Sequence, residues 1–312
     1  MLTMELTTWD GRSCRLPVLL SWSLTYTGGV PCDSMTASCP YHESMADVLP
    51  DATRFTALQD GEIMLRGVID AYEICLSSQG LLVTLEGRGM AALLMDNESE
   101  ALTYGTATLA DILSNHVKPY GITVETGPSL SGDGYSVTSG SSQWKALRGF
   151  THRYGGFEPY FTRDGSLVIG SLWGSGATLA VTGKTPLVSL RHREDRYGVI
   201  SEMLIQDKVQ DISHQIINET FAKKGGSRRH VLYMPRSTAD ERRYTGEYQI
   251  AQSALDQLEI TLELPLPFAA FPGDRVRLEL SWLGPEDTYD VVESRCRMDE
   301  SGERTEIVLS RR

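Results

Sequence analysis

Thr108-Leu-Ala-Asp-Ile-Leu113, six residues, then Tyr120-Gly121: this run is matched by Ser142-Gln-Trp-Lys-Ala-Leu147, six residues, then Tyr154-Gly155. The offset is 34 residues (142 − 108), and both copies lie in the stretch 106–172. Each copy predicts a helix. Thr108 and Ser142 (or Ser141) are N-cap residues, because a hydroxyl accepts the orphan amide hydrogens of a first turn. Asp111 stands where a capping-box acid would. Leu109, Ile112, Leu113 and Val117 form one apolar stripe, and Trp144, Leu147, Phe150 and Tyr154 the other. Leu113 and Leu147 are thereby expected at equivalent core positions. Gly121 and Gly155 are expected at the left-handed position past each helix end. Extended segments follow at 122–125 and 157–160. The second copy closes on Phe161-Thr-Arg-Asp-Gly-Ser-Leu-Val-Ile169, a hairpin whose Asp164-Gly165 predicts a type I′ turn. The stretch therefore reads as two small α/β units side by side, and the chain on either side of it reads as β.

Working outward, 312 residues suggest about two to four domains. With 41% hydrophobic and 22% charged residues the composition is that of a globular chain. No apolar run approaches membrane-spanning length, so no membrane insertion is expected. No signal peptide is legible at the N-terminus, so the expected starting compartment is a cytoplasm. A net charge of −12 argues against a binder that works by neutralising phosphates. Five cysteines are present. Cys32, Cys39 and His42 form C-x6-C-x2-H, which is no standard zinc spacing and lacks a fourth ligand. If 32–39 is one strand, its ends lie about 20 Å apart at roughly 3.3 Å per residue, too far for a disulfide. Reduced structural cysteines, with no metal and no cofactor, are the expectation.

Residues 1–27 read as a hairpin: 4–9, the Asp10-Gly11 turn, and a return strand with Leu20, Trp22, Leu24 and Tyr26 on one face. Strands are expected at 33–39, 62–68, 69–76 and 81–86, with a polar connection from 40 to 51 and a Ser-Gln-Gly turn at 78–80. Residues 91–104 read as a linker with at most a helical turn, and 174–176 as a boundary. Strands fill 187–207, strongest at 199–205. Residues 208–247 read as polar and irregular, 238–254 as helical, and 258–264 as a strand. Val276, Leu278, Leu280 and Trp282 alternate again. Strands at 288–297 and 304–310 flank a turn at 299–302. The two β arms resemble each other: Val68-Ile-Asp70 with Val83-Thr-Leu-Glu-Gly-Arg88 repeats as Val291-Val-Glu293 with Ile307-Val-Leu-Ser-Arg-Arg312. The expected class is mainly β with an α+β insert. Two tube-like β-barrel domains (1–92 and 177–312, the second with an extended loop 208–247) flank the α/β units 93–135 and 136–176.

Catalytic signatures are missing. There is no G-x-S-x-G elbow, no H-E-x-x-H and no dinucleotide fingerprint. Gly176 to Gly183-Lys184-Thr185 imitates a P-loop, but six residues separate the glycines instead of four. His116 and His152 fall on the twin helices, where they cover the helices and form no site. Asp70 and Glu73, three apart on a strand, are expected on opposite faces. Lys223, Lys224, Arg228 and Arg229 surround Gly225-Gly226, as a solvated loop or as a protein contact. Trp22, Trp144 and Trp282 fall on faces expected to be buried, which argues against a carbohydrate-binding surface.

These motifs, in this order, resemble a family. Gly67-Val-Ile-Asp through Val83-Thr-Leu-Glu-Gly-Arg, the two helix motifs, Pro119-Tyr120-Gly121-Ile122-Thr-Val, Asp164-Gly165-x-Leu-Val and Pro272-Gly-Asp-x-Val are similar to phage baseplate (tail) hub proteins of the Mu type. That family is related to hubs of other contractile tails, tailocins and type VI secretion spikes. The resemblance covers nearly the whole chain; the loop after Gly28 is longer and 208–247 matches poorly. It implies a non-enzymatic homotrimer that adapts a hexameric tail tube to a trimeric spike and lines a central channel. Its implied partners are tube, spike, other baseplate proteins and the tape-measure protein, without sequence-specific nucleic-acid binding. Its implied location is the baseplate of a phage or tailocin particle, assembled in the bacterial cytoplasm. The alternatives are another tail-tip or secretion-system component, or a cell-wall-degrading tail enzyme. A channel of this kind is expected to be acidic or neutral, with Asp70, Glu73, Glu263 and Glu279 as candidate lining residues and the basic four facing outward.

Overall fold

The structure, a computed structural model, describes residues 1–31, 33–78, 80–125, 127–174, 176–235, 239–255 and 257–311, with the backbone alone at 240 and 241. Cys32 and Thr238, and the middle residues of the 78–80 turn and the 174–176 boundary, lie outside the described residues. Two compact units emerge: Met1–Val188 with Glu263–Ile307, and Ser189–Leu262 with Val308–Arg312.

The first unit opens with seven strands: β1 (Leu2–Thr8), β2 (Ser13–Arg15), β3 (Ser21–Thr27), β4 (Ser34–Pro40), β5 (Ala52–Gln59), β6 (Glu62–Ser77) and β7 (Gly80–Gly89). Strict alternation buries Leu2, Met4 and Leu6 from β1 and Trp22, Leu24 and Tyr26 from β3 in one core with Met35, Phe55, Val83 and Leu85. The strand that returns along β1 is β2, and β3 runs elsewhere, between β4 and a C-terminal strand. Pro17 explains the break, since it cannot donate to a ladder. Leu20, expected on the buried face, precedes β3 and is exposed. β5 was hidden in the sequence, because only Phe55 and the small Ala57 mark its buried face. β6 and β7 cross closely at two glycines. A Cβ on Gly67 would lie 2.0 Å from the Arg88 carbonyl oxygen, and one on Gly87 2.5 Å from that of Val68.

The insert carries α1 (Ala92–Met95), β8 (Glu98–Ser99), β9 (Leu102–Thr108), α2 (Leu109–His116), β10 (Ser131–Val137), β11 (Ser141–Ser142), α3 (Gln143–Gly155), β12 (Tyr160–Phe161) and β13 (Leu167–Val168). Residues 91–104 are thus no linker: α1 and β8 belong to the insert, and β9 pairs with β10. Both copies of the repeat close one shared core around Leu94, Ile112, Trp144, Leu147 and Phe150. Three details differ from the sequence reading. Tyr120 sits in a 3-10 turn after α2, whereas Tyr154 is inside α3. Gly121 takes the left-handed conformation at φ 68°, but α3 runs one residue further, so Gly156 (φ 72°) ends it instead of Gly155. The β12–β13 loop has five residues, 162–166. The Gly165 amide bonds the Thr162 carbonyl oxygen at 2.9 Å and Gly165 alone has positive φ, which is a type I turn with a left-handed glycine instead of type I′. β14 (Thr178–Thr182) follows.

The second unit holds β15 (Ser189–Glu194), β16 (Glu202–Asp207), β17 (Ile212–Ile217), α4 (Glu219–Lys223), β18 (Arg229–Tyr233), α5 (Ala239–Leu255) and most of β19 (Leu258–Leu264). The stretch 208–247 is therefore not an extended loop. β16 lies between β17 and β18 in a sheet that α5 packs against. β16 buries Met203, Ile205 and the charged Asp207, but β17 and β18 bury no residue fully, which masks their pattern in the sequence. Asp207 and Arg242 are both buried, 3.9 Å apart.

The chain closes with β20 (Arg275–Glu279), β21 (Asp287–Asp299) and β22 (Gly302–Ser310). Trp282, expected to be buried, falls in a turn past β20 and is 67% exposed. The molecule is mainly β, built on a large, largely antiparallel sheet; β14 and β20 pair in parallel. The sheet runs β22-β21-β3-β4-β7-β6-β5-β1-β2, and β15 lies beside β19, itself beside β22. Among the described residues the pairing is an open path, not two closed rings. A repeat is visible in that path: β3-β4-β7-β6-β5 is the same succession as β15-β19-β22-β21-β20.

Candidate functional site

Chemistry-bearing side chains do not converge. Among the described residues no group of His, Cys, Asp and Glu is arranged to hold a metal ion. Cys14, Cys39, Cys75 and Cys296 are free thiols. Burial pushes the Cys39 thiol up to about 11, which makes it an inert core group.

The twin helices are capped as their sequences predict. Thr108 Oγ1 accepts from the Asp111 amide at 3.2 Å while Asp111 Oδ2 accepts from the Thr108 amide at 3.1 Å, a reciprocal capping box. The Thr108 hydroxyl holds the Asp111 carboxyl below its usual range. Ser142 Oγ accepts from the Lys145 amide at 3.2 Å. Leu147 is wholly buried, whereas Leu113 is only half-buried. Tyr154 donates its hydroxyl to the Asp133 carbonyl oxygen at 2.8 Å. A polar link unread in the sequence joins the two copies: buried His116 bonds Gln143 Oε1 through Nδ1 at 2.6 Å and the Tyr104 hydroxyl through Nε2 at 3.1 Å. Gln143 Nε2 in turn donates to the Glu98 carbonyl oxygen at 2.9 Å. Nothing in the sequence separates Gln143, the first residue of α3, from an ordinary first-turn residue.

Arg88 binds the insert to the sheet. Its guanidinium spans Asp70, at the bulge of β6, and Asp96, after α1, with contacts from 2.6 to 3.0 Å. Hydrogen bonds to the two carboxylates raise its pKa. Arg163, from the β12–β13 loop, lies 4.0 Å from the Phe271 ring centroid, and its carbonyl oxygen accepts from the Arg66 amide at 2.8 Å. A cleft of about 490 Å³ opens beside this pair, floored by Trp22, Met64, Phe268 and Phe271.

The charged candidates separate. Lys223 pairs with Glu219 at 3.8 Å, and Lys224 ends α4. Arg228 donates to the Tyr197 carbonyl oxygen and Arg229 pairs with Glu202 at 2.9 Å. Lys223 and Lys224 thus precede Gly225-Gly226 and Arg228 and Arg229 follow it, each with its own surroundings. Of the four acidic candidates, Asp70 is held by Arg88, Glu263 by Arg297 and Arg304, and Glu279 by Arg277. Glu73 has no ion-pair partner among the described residues and is exposed.

The least satisfied surface is on β6. Its partner β5 ends its pairing at Arg54↔Val68, and β6 continues to Ser77 beside β7 alone. A bulge between Ile69 and Ala71 resets the alternation. Tyr72, Ile74 and Leu76 then share one face at 42%, 43% and 79% exposure. An unpaired edge carrying large apolar side chains is a surface that invites a strand.

No protein-family profile and no curated protein matches the sequence. Solved structures match along the entire chain. A tail protein from Neisseria meningitidis MC58 superposes with a TM-score of 0.77 at 19% identity, over 99% of this chain and 96% of its own. By fold, the chain is similar to phage tail proteins. The prophage MuSo2 43 kDa tail protein from Shewanella oneidensis gives 0.76 at 17% identity, over 100% and 98%. An Escherichia coli component of the type VI secretion system, itself similar to the T4 bacteriophage tail proteins gp27 and gp5, gives 0.54 at 11% identity, over 99% and 76%.

Proposed function

We propose that this protein is a structural baseplate hub of a contractile phage tail or tailocin, working without catalysis. The observation that carries the reading is the doubled strand succession, β3-β4-β7-β6-β5 and β15-β19-β22-β21-β20, in a chain whose fold is similar throughout to tail proteins. Two like β halves per chain give six in a trimer, the number a hexameric tube requires, while the trimer itself suits a trimeric spike. On this reading the tube-like domains are 1–92 and 177–312, and the α/β units 93–135 and 136–176 are spacers held by their repeat. The twin motif Thr108, Leu113, Tyr120, Gly121 and Ser142, Leu147, Tyr154, Gly155 is then structural. Lys223, Lys224, Arg228 and Arg229 are assigned to contact with a neighbouring baseplate protein, facing away from the channel. The partners are other copies, tube, spike and tape-measure proteins, and the location is the particle's baseplate after assembly in the bacterial cytoplasm.

A type VI secretion spike component is the second reading, favoured by the likeness to the Escherichia coli protein. Imaging of the assembled particle tests both. Three copies between tube and spike are expected, and a single copy or a peripheral position would overturn the hub.

A further inference from the structure

The two halves of the sheet differ at one place. In the C-terminal hairpin β21 is covered: β3 pairs antiparallel with it from Glu293↔Thr27 to Met298↔Trp22. In the N-terminal hairpin β6 is bare along the corresponding edge. The strand ends fix the correspondence. Counting back from Ser77, which pairs with Gly80, and from Asp299, which precedes Gly302, Tyr72, Ile74 and Leu76 take the places of Ser294, Cys296 and Met298. Ser294 and Cys296 are buried and Met298 packs on the core, under Tyr26, Leu24 and Trp22 of β3. Tyr72, Ile74 and Leu76 are apolar and exposed, and no strand pairs along this edge of β6 among the described residues.

The repeat also names the missing strand. β3 stands beside β4 as β15 stands beside β19, so β15 is the C-terminal counterpart of β3. β15 ends its sheet path, with β19 its one strand neighbour among the described residues. Both elements are thus half-used edges whose equivalents already pair with each other inside this chain. We infer that Ser189–Glu194 of a second copy adds antiparallel to residues 71–76 of β6. Charge agrees: Arg193 is taken up by Asp195 at 3.0 Å, but Arg191 has no ion-pair partner among the described residues, and Glu73 lies on the face of β6 opposite Tyr72 and Ile74. The contact uses different surfaces on the two copies, so it propagates head to tail, and in a trimeric hub it would close into a ring. It rests on the hub reading for the number of copies, and on the repeat for the strands.

The test joins light scattering over a range of concentrations with hydrogen exchange on the intact chain. Assembly should slow exchange at 71–76 and 189–194 together. Ile74→Lys should weaken association tenfold or more while circular dichroism stays native, since Ile74 is already exposed. Glu73→Arg and Arg191→Glu should each weaken it, and the double variant should recover it. Oligomers in which 71–76 exchange freely, or Ile74→Lys assembling like the native chain, would overturn the strand contact and leave the hub intact. A single copy both in solution and in the particle would overturn both.

Discussion

Truncating the two repeat leucines separates what the sequence equates. Leu147 is wholly buried in the core it shares with Leu94, Ile112, Trp144 and Phe150. Leu113 occupies the matching place in the first copy but is only half-buried at the margin of that core. Leu147→Ala removes a fully desolvated side chain and leaves a cavity, a loss of about 3–5 kcal/mol. Leu113→Ala removes a side chain that still reaches water and opens onto solvent, so transfer dominates and the loss is about 1–2 kcal/mol. The readout is urea unfolding of the insert, followed by Trp144 in the same core and by hydrogen exchange of the α3 amides. At constant m, the difference should appear as a shift in midpoint. Equal losses at the two leucines would refute the reasoning, because burial would then not govern the cost.

Thr108→Ala should cost about 1 kcal/mol of local stability, measured on the α2 amides, because the capping box disappears. Burial pushes the Asp33 carboxyl up to about 6, although it accepts from the Thr27 amide at 2.9 Å. Its folded value lies above the ordinary 3.8, so the folded chain keeps a proton that the unfolded chain has lost. The contribution of Asp33 to stability should therefore be full below about pH 4 and fall by up to about 1.4 kcal/mol per pH unit toward pH 6. Asp33→Asn should flatten that slope in thermal melts taken across this range; an unchanged slope would assign it to other groups. Gly67→Ala should unfold or grossly destabilise the N-terminal sheet in calorimetry, since the new methyl meets the Arg88 backbone; native-like melting would mean that the β6–β7 crossing can open.

Elements with clean periodicity were legible. β1, β3, α3 and β19 alternate or repeat strictly because each buries one face and wets the other. β5 escaped because alanine marks an inward position as weakly as an outward one. Of the sheet of β16, β17 and β18, β16 was legible within the strand expected at 199–205, while β17 and β18 escaped because they bury no residue fully. Topology was the larger loss. That β2 and not β3 accompanies β1 depends on which distant strand offers an edge, and local sequence carries no record of it. Of the candidate surface, the basic cluster was visible as composition. The apolar row of β6 was not, because Tyr72-Glu-Ile-Cys-Leu76 alternates as an ordinary half-buried strand does, and a missing partner leaves no mark on the pattern.

The seam between β3 and β21 also sets an order of events in time. β3 leaves the ribosome long before β21, so their ladder joins positions far apart in the sequence. Until β21 arrives, the edge of β3 stands open on a half-built sheet, the condition in which nascent chains capture one another. The edge of β3 is thus completed only when β21 is made. A truncated chain lacking β21 would then be sticky and unable to mature, which keeps incomplete copies out of any assembly built from whole ones.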